Sequence, residues 1–231
     1  MAAQPFRIGF LLYPDVTQLD MTGPAQVLRF LPGAELHFVW KAIEPVPSDC
    51  GLALMPTTTF ASCPQLDMVC VPGGGGCTAM MQDEVVLGWL RDQAQGARYV
   101  TSVCTGSLIL GAAGLLEGYR ATSHWAWVDA LPAFGAEPVR ERVVIDRDRI
   151  TGGGVTAGID FGFRVIEQVA GPEAAAFTQL AIEYDPQPLA GGTPDAAAPE
   201  LVARYRAAME QPWRARRAMI EAVAARRRGS A

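Results

Sequence analysis

Residues 101–116, TSVCTGSLILGAAGLL, contain the strongest candidate for chemistry, which is Cys104. A β-rich run ends at this cysteine, Thr105 and Gly106 follow, and a helix-like run begins at once. The order of strand, sharp turn and helix is typical of a nucleophile elbow. Free N–H groups at the start of a helix favour a thiolate, so we expect the pKa of Cys104 to be lowered. The alternative is a buried, unreactive cysteine in a strand-to-helix loop.

Two glycine runs lie at predicted strand ends, VCVPGGGG at 69–76 and TGGGVTAGID at 151–160. Without a Cβ, the backbone N–H groups of such runs can approach a ligand closely. We expect an oxyanion-type pocket in which a glycine N–H of the first run joins the N–H of Thr105. The first run has neither dinucleotide-binding spacing nor a phosphate-loop lysine. The alternative is that both runs are packing turns.

Two titratable residues are candidate partners of Cys104. Asp20 follows the first predicted strand and precedes a helix start predicted at Thr22–Pro24, which places it at the carboxyl edge of the sheet. A capping or turn carboxylate is the alternative for Asp20. His124, in RATSHWAW, would be the base in a cysteine–histidine enzyme, and a hydrogen-bonded core histidine is its alternative.

The elements that must position these residues alternate between short apolar runs and helix-like stretches. Strands are predicted at Arg7–Leu12, Leu36–Trp40, Asp67–Val71, Tyr99–Val103, Val143–Ile145 and Arg149–Thr151, and helices at Pro24–Leu31, Val85–Gly96, Ser107–Leu116, Ala157–Ala170 and Glu173–Tyr184. This alternation predicts an α/β domain, residues 1–185, with a mostly parallel sheet covered on both faces.

Residues 186–231 are predicted to form a connector and a basic helical extension. The pattern of Glu200–Arg228 predicts one or two helices interrupted at Pro212. After residue 200 the chain contains eight arginines and only two glutamates. Apolar positions that include Trp213 and Ile220 predict a buried face, packed on the domain or on a partner subunit. Nucleic-acid contact is the alternative, but the segment is too short for a full helix-turn-helix domain.

Composition limits the remaining classes. Half of the 231 residues are apolar, 19% are charged, and the net charge is −5, which argues against a disordered chain and against nucleic acid as the main partner. No apolar run is long enough to span a membrane, and the first residues do not resemble a signal peptide, so we expect a cytoplasmic protein. The odd count of five cysteines predicts free thiols rather than a disulfide framework. With only two histidines and no CxxC pair, we expect no metal site.

The VPGGGG loop, the elbow region SVCTGSLILGAAGLLEGYRATSHW and RITGGGVTAGIDF together resemble the ThiJ/PfpI branch of the class I glutamine amidotransferase-like superfamily. Within this branch, LLYPDVTQLDMTGP and YVTSVCTGSL are similar to the isocyanide hydratase family. The similarity runs from about residue 6 to beyond residue 184. It implies a flavodoxin-like three-layer sandwich that forms a homodimer, needs no cofactor and acts on a small isocyanide.

The resemblance also implies a role for each site residue. Cys104 would attack the terminal isocyanide carbon to form a thioimidate, and water would then release an N-substituted formamide. Asp20 would transfer protons, the N–H groups of Gly74 and Thr105 would act as oxyanion-type donors, and the N–H of Val155 would face the thiolate.

Two departures from the wider superfamily narrow the function. Many members carry glutamate where this chain has Asp20, so the aspartate argues against membership of the chaperone, deglycase and peptidase branches. No histidine follows His124, which argues against glutamine hydrolysis.

Two other functions stay open at this stage. One is a different cysteine enzyme of the same superfamily, of the glyoxalase or deglycase type. The other is a ligand-sensing or redox-sensing module like that of regulators which add a DNA-binding domain. We do not expect a regulator, because the chain ends soon after the last predicted core helix.

Overall fold

The computed structural model describes residues 5–229. The strands in chain order are β1 (Phe6–Leu11), β2 (Ala34–Trp40), β3 (Val46–Pro47), β4 (Ala53–Leu54), β5 (Thr58–Thr59), β6 (Met68–Val71), β7 (Tyr99–Val103), β8 (Arg120–Ala121), β9 (Glu137–Pro138), β10 (Val143–Asp146) and β11 (Arg149–Gly152). The helices are α1 (Gln18–Leu28), α2 (Cys77–Met80), α3 (Glu84–Gly96), α4 (Gly106–Ala112), α5 (Ala157–Ala170), α6 (Pro172–Ala181) and α7 (Pro199–Gly229), with a 3₁₀ helix at Val128–Phe134.

A seven-stranded sheet in the order β10-β11-β7-β6-β1-β2-β5 forms the centre of the molecule. Every neighbouring pair is parallel except the edge pair β10 and β11. Helices α1 and α5 pack together on the sheet, α5 being in contact with β7 and β11, while α3 and α4 are in contact with β6. The predicted flavodoxin-like three-layer α/β fold is therefore confirmed.

The three central strands carry the loops that matter for chemistry. Strands β7, β6 and β1 are adjacent and parallel, so the chain leaves all three at the same edge of the sheet. β6 is buried along its whole length, as expected for a strand covered on both faces. The segments that follow these strands, residues 12–17, 72–76 and 104–105, therefore meet at one place, as ligand-binding edges of open parallel sheets do.

The predicted start of the first helix is wrong. α1 begins at Gln18, and Pro24 lies inside it rather than in its first turn. The chain reverses at Asp15, whose φ is 59°, and the Thr17 N–H then donates to the Gly73 carbonyl at 2.9 Å. These tertiary contacts fix the helix start before the local Thr22–Pro24 signal is reached. Asp20 consequently lies in the first turn of α1 rather than in a loop.

The predicted interruption of the C-terminal helix is also wrong. α7 runs for 31 residues through Pro212. The proline removes the hydrogen bond to the Ala208 carbonyl, but both residues are exposed, so water can replace the lost donor. After the proline, Trp213 and Ile220 are buried against the domain, and before it the partly buried Met209 packs against the same core.

The C-terminal extension packs on the α/β domain of its own chain. Val223 and Ala224 are buried, and Arg227 Nη1 donates to the Gly111 carbonyl on α4 at 2.9 Å. Contact between this extension and a partner subunit stays a prediction. Within residues 5–229, no helix is both long enough and apolar enough to cross a membrane.

Candidate active site

Cys104 lies at the tip of a sharp turn between β7 and α4. Its φ is 57°, a left-handed conformation that a non-glycine residue adopts only under strain. Gly106 comes so close to the Val71 carbonyl that a Cβ at this position would overlap it. The strand, the strained residue and the close glycine are those of a nucleophile elbow. The cysteine side chain is 5% exposed.

The backbone of the elbow is held on both sides of the strained residue. The Cys104 N–H donates to the carbonyls of Gly152 and Gly153 at 3.0 and 2.8 Å. Its carbonyl accepts from the hydroxyls of Ser107 and Ser123, both at 3.1 Å. These bonds offset a conformational cost of about 1–3 kcal/mol. Sequence reasoning did not identify the two serines, because Ser123 reaches the elbow only through the fold.

Asp20 faces this turn from α1 and is completely buried. Its Oδ2 accepts the Gly73 N–H at 2.8 Å, and its Oδ1 has no hydrogen-bond partner among residues 5–229. A Cβ on Gly73 would come within 2.9 Å of Oδ2, so glycine is required for this approach. Burial raises the pKa of Asp20 to about 7, although the bond from Gly73 and the interaction with Cys104 lower it.

The Cys104 sulfur interacts with the backbone N–H groups of Val155 and Thr105 and with the Asp20 carboxyl. Burial raises the pKa of the thiol well above its ordinary value, and the Asp20 charge raises it further, while the two N–H groups lower it. The expected lowering is therefore wrong, because burial and the Asp20 charge outweigh the N–H groups that favour the thiolate. Cys104 and Asp20 form a buried acidic pair that titrates together.

Gly74 uses its N–H inside the protein. It donates to Thr105 Oγ1 at 3.0 Å, and the φ of Gly74 is 141°. A ligand oxygen would have to replace this hydroxyl in order to use the same N–H. The role of Gly74 as an oxyanion-type donor stays a prediction, whereas the observed contact of Gly73 is with Asp20.

His124 lies next to Ser123 and packs its ring against Gly154. Its Nδ1 accepts the Ala126 N–H at 3.2 Å. Burial, followed by the positive charge of Arg216, lowers the pKa of His124 to about 4. The imidazole is therefore uncharged at neutral pH and is a weak base. The low pKa argues against a role as base, although His124 is only partly buried and so is not a core residue.

A cleft of about 910 Å³ opens beside the elbow. Its wall includes Ser123, His124 and Val155 from the elbow side and Trp213 and Arg217 from α7. Cys104 itself is not part of the wall, but the N–H of Val155 interacts with its sulfur. The cleft is large enough for a small organic molecule.

Arg216 of α7 reaches the glycine loop 72–76. Its Nη2 donates to the carbonyls of Gly74 and Gly75 at 3.1 and 3.2 Å, and its Nε donates to Thr78 Oγ1 at 3.2 Å. Its guanidinium lies 5.0 Å from the centre of the Trp127 ring. The sequence carries no local signal for this contact, because Arg216 lies 142 residues after Gly74.

The structure describes all five cysteines as free thiols. Cys77 is buried near the site and donates from Sγ to the Thr105 carbonyl at 3.2 Å. Within residues 5–229, no three histidine, cysteine or acidic side chains come together as a metal site would require.

Comparisons with known proteins agree with this architecture. The family model for the DJ-1/PfpI family matches residues 6–168. A structure of a ThiJ/PfpI family protein from Pseudomonas syringae superposes with a TM-score of 0.88 at 44% identity, covering 95% of this chain and 90% of that one.

Two curated relatives differ in what their names describe. Isonitrile hydratase from Pseudomonas putida is 56% identical over 205 residues, which cover 87% of this chain and 90% of that enzyme. The HTH-type transcriptional regulator GbdR from Pseudomonas aeruginosa is 34% identical over 90% of this chain, but the match covers only 62% of the regulator. The elbow, the two glycine loops, the matched family model and the 56% identity together establish that this chain belongs to the DJ-1/PfpI family.

Proposed function

We propose that this protein hydrates isocyanides, also called isonitriles, to N-substituted formamides. The observation that carries the proposal is the buried pair of Cys104 and Asp20 at the elbow, which offers a sulfur nucleophile and a proton donor to one small electrophile. The 56% identity to a protein named isonitrile hydratase supports the choice of substrate class. The terminal isocyanide carbon is a soft electrophile, which suits a sulfur nucleophile.

The first step uses the proton that the pair shares. The Cys104 thiol passes its proton to Asp20, whose pKa of about 7 makes a carboxylic acid accessible near neutral pH. The resulting thiolate is stabilised by the N–H groups of Val155 and Thr105. The sulfur bonds to the terminal carbon, Asp20 returns the proton to that carbon, and a neutral thioimidate forms.

The second step consumes one water. Asp20, now a carboxylate, accepts a proton from the water while the water oxygen bonds to the thioimidate carbon, and Asp20 then passes this proton to the substrate nitrogen. The carbon–sulfur bond breaks as the new hydroxyl gives its proton to Asp20, which releases the formamide and regenerates the Cys104–Asp20 pair with its one shared proton. The balance is one isocyanide plus one water to one formamide, with no oxidation or reduction.

Mass spectrometry of the products of cyclohexyl isocyanide tests the proposal. We expect the wild-type protein to form the formamide. Cys104→Ala should reduce the rate by at least about 10³-fold without unfolding, because the sulfur that forms the thioimidate is removed. The matched control is Cys50→Ala, which removes an exposed thiol and should change nothing.

Wild-type protein that forms no formamide would refute the proposed function. Turnover of methylglyoxal without turnover of isocyanides would favour another cysteine enzyme of the superfamily. Specific retention of DNA would favour a regulator-like module.

The resemblance further supports a homodimer and a cytoplasmic location as proposals. Light scattering after size-exclusion chromatography distinguishes a mass of two chains from the 24.7 kDa of one.

A further inference from the structure

We propose that Arg216, in the C-terminal helix, is a positioning residue for the Cys104–Asp20 pair and acts through the glycine loop 72–76. This inference rests on the proposed function for its activity readout, and a second readout does not depend on substrate.

The loop is held from three directions. From the α1 side, the Thr17 N–H donates to the Gly73 carbonyl at 2.9 Å. From the elbow side, Thr105 Oγ1 accepts the Gly74 N–H at 3.0 Å. From α7, Arg216 donates to the carbonyls of Gly74 and Gly75, and this is the contact that ties the C-terminal extension to the loop.

A glycine-rich loop needs such external restraints because its residues have the widest conformational freedom. Gly73 is the residue whose N–H binds Asp20 Oδ2, and it directly precedes the carbonyl that Arg216 holds. If Gly74 and Gly75 move, the N–H of Gly73 is displaced from Asp20. Arg216 touches neither Asp20 nor Cys104 through any bond described, so its effect on them passes through the loop.

The guanidinium geometry suits this task. It donates in two directions, from Nη2 to the loop carbonyls and from Nε to Thr78 Oγ1 on α2, and its plane lies near the Trp127 ring. A lysine ammonium is a point donor on a flexible stem and cannot reproduce a planar fork. The positive charge also reaches the site: burial is the largest influence on the pKa values of Tyr13 and Cys77, and Arg216 acts against it on both.

A small set of groups influences the pKa values of Asp20 and Cys104. Asp20 is influenced by burial, Gly73, Cys104 and Asp49, and Cys104 by burial, Asp20 and the N–H groups of Val155 and Thr105. Arg216 is not among them. Arg216→Lys keeps the positive charge, so a change in the titration of the pair that persists in this variant reports the loop rather than the charge.

The experiment compares Arg216→Met and Arg216→Lys with Arg214→Met, an exposed position on the same helix that forms an ion pair with Glu210. The first readout is the rate of Cys104 alkylation by iodoacetamide against pH, followed by peptide mass spectrometry. The second is the kcat and KM of formamide formation. Thermal unfolding and circular dichroism confirm that α7 is retained.

The alkylation profile of a coupled pair has two midpoints, and the lower one marks release of the pair's first proton. For Arg216→Met we expect this lower midpoint to move upward by about one pH unit, because Asp20 loses the bond that lowers its pKa. We expect kcat to fall about tenfold with little change in KM, since Arg216 does not reach the buried pair where the substrate reacts. Arg216→Lys should show most of the same alkylation shift and most of the same fall in kcat, and Arg214→Met should match the wild type in both.

The proposal is overturned if Arg216→Met leaves both readouts unchanged, or if Arg216→Lys restores both and so shows that charge alone suffices. If α7 unfolds in Arg216→Met, a second variant, Thr78→Val, removes the acceptor of Arg216 Nε and leaves the sequence of α7 unchanged. This variant should move the alkylation midpoint in the same direction by a smaller amount. No shift there would count against the proposal. If the wild type is inactive on isocyanides but the Arg216 variants still show these alkylation shifts, the proposed substrate is refuted and the positioning role stands.

Discussion

Replacing Asp20 with asparagine should change how protein stability depends on pH. Asp20 is completely buried, and burial raises its pKa from 3.8 to about 7. Between these two values the folded state holds a proton that the unfolded state has released. The free energy of unfolding of the wild type must then fall as pH rises through this window.

The size of the effect follows from the shift. Each pH unit costs ~1.4 kcal/mol, and the window spans about three units, so full ionisation costs about 4 kcal/mol relative to acidic pH. Asparagine keeps an oxygen that can accept the Gly73 N–H but never ionises. The stability of the Asp20→Asn variant relative to the wild type should therefore improve by about 4 kcal/mol between pH 4 and pH 8.

Urea unfolding at several pH values measures this difference. The comparison uses the change with pH, because a constant offset of about 1 kcal/mol is expected from replacing a carboxyl by an amide. Asp92→Asn, on the exposed face of α3, is the matched control and should show no such trend. A difference between Asp20→Asn and wild type that stays constant within about 1 kcal/mol across the window would refute the assignment of a raised pKa to Asp20.

Two further predictions test the elbow and the histidine. Gly106→Ala should destabilise the protein by about 3 kcal/mol or more in urea unfolding, because the new Cβ meets the Val71 carbonyl; normal stability would show that strand and helix can separate freely. His124→Asn should leave the pH profile of kcat/KM unchanged between pH 5 and pH 8, because the imidazole has a pKa of about 4 and is already neutral there. Loss of a titration in that range would give His124 a role in proton transfer.

Local order along the chain was enough to predict the elbow. Cys104 and Gly106 are two residues apart, and the strand and helix that flank them are continuous segments, so their arrangement is written in consecutive residues. The alternation of strands and helices likewise predicted the parallel sheet. The glycine run was found in the same way, but the residue of that run in contact with Asp20 is Gly73 rather than Gly74, because the turn geometry selects which N–H points inward.

Boundaries set by tertiary contacts were predicted poorly. The start of α1 depends on a hydrogen bond from Thr17 to Gly73, and the continuity of α7 through Pro212 depends on the burial of Trp213. Local propensity contains neither contact, since each joins residues far apart in the chain. The predicted direction of the Cys104 pKa shift was wrong for a related reason, because the sequence shows the helix terminus but not the degree of burial.

The sequence by itself determined the family and the fold class and singled out Cys104 as the candidate nucleophile, because each of these rests on short motifs and on the period of apolar residues. Only the tertiary structure decided the electrostatic environment of the site. The raised pKa values of Cys104 and Asp20 come from burial and from the contact between two distant segments, and Arg216 reaches the glycine loop because α7 folds back over the domain. Proximity in space, rather than order along the chain, sets these electrostatic energies.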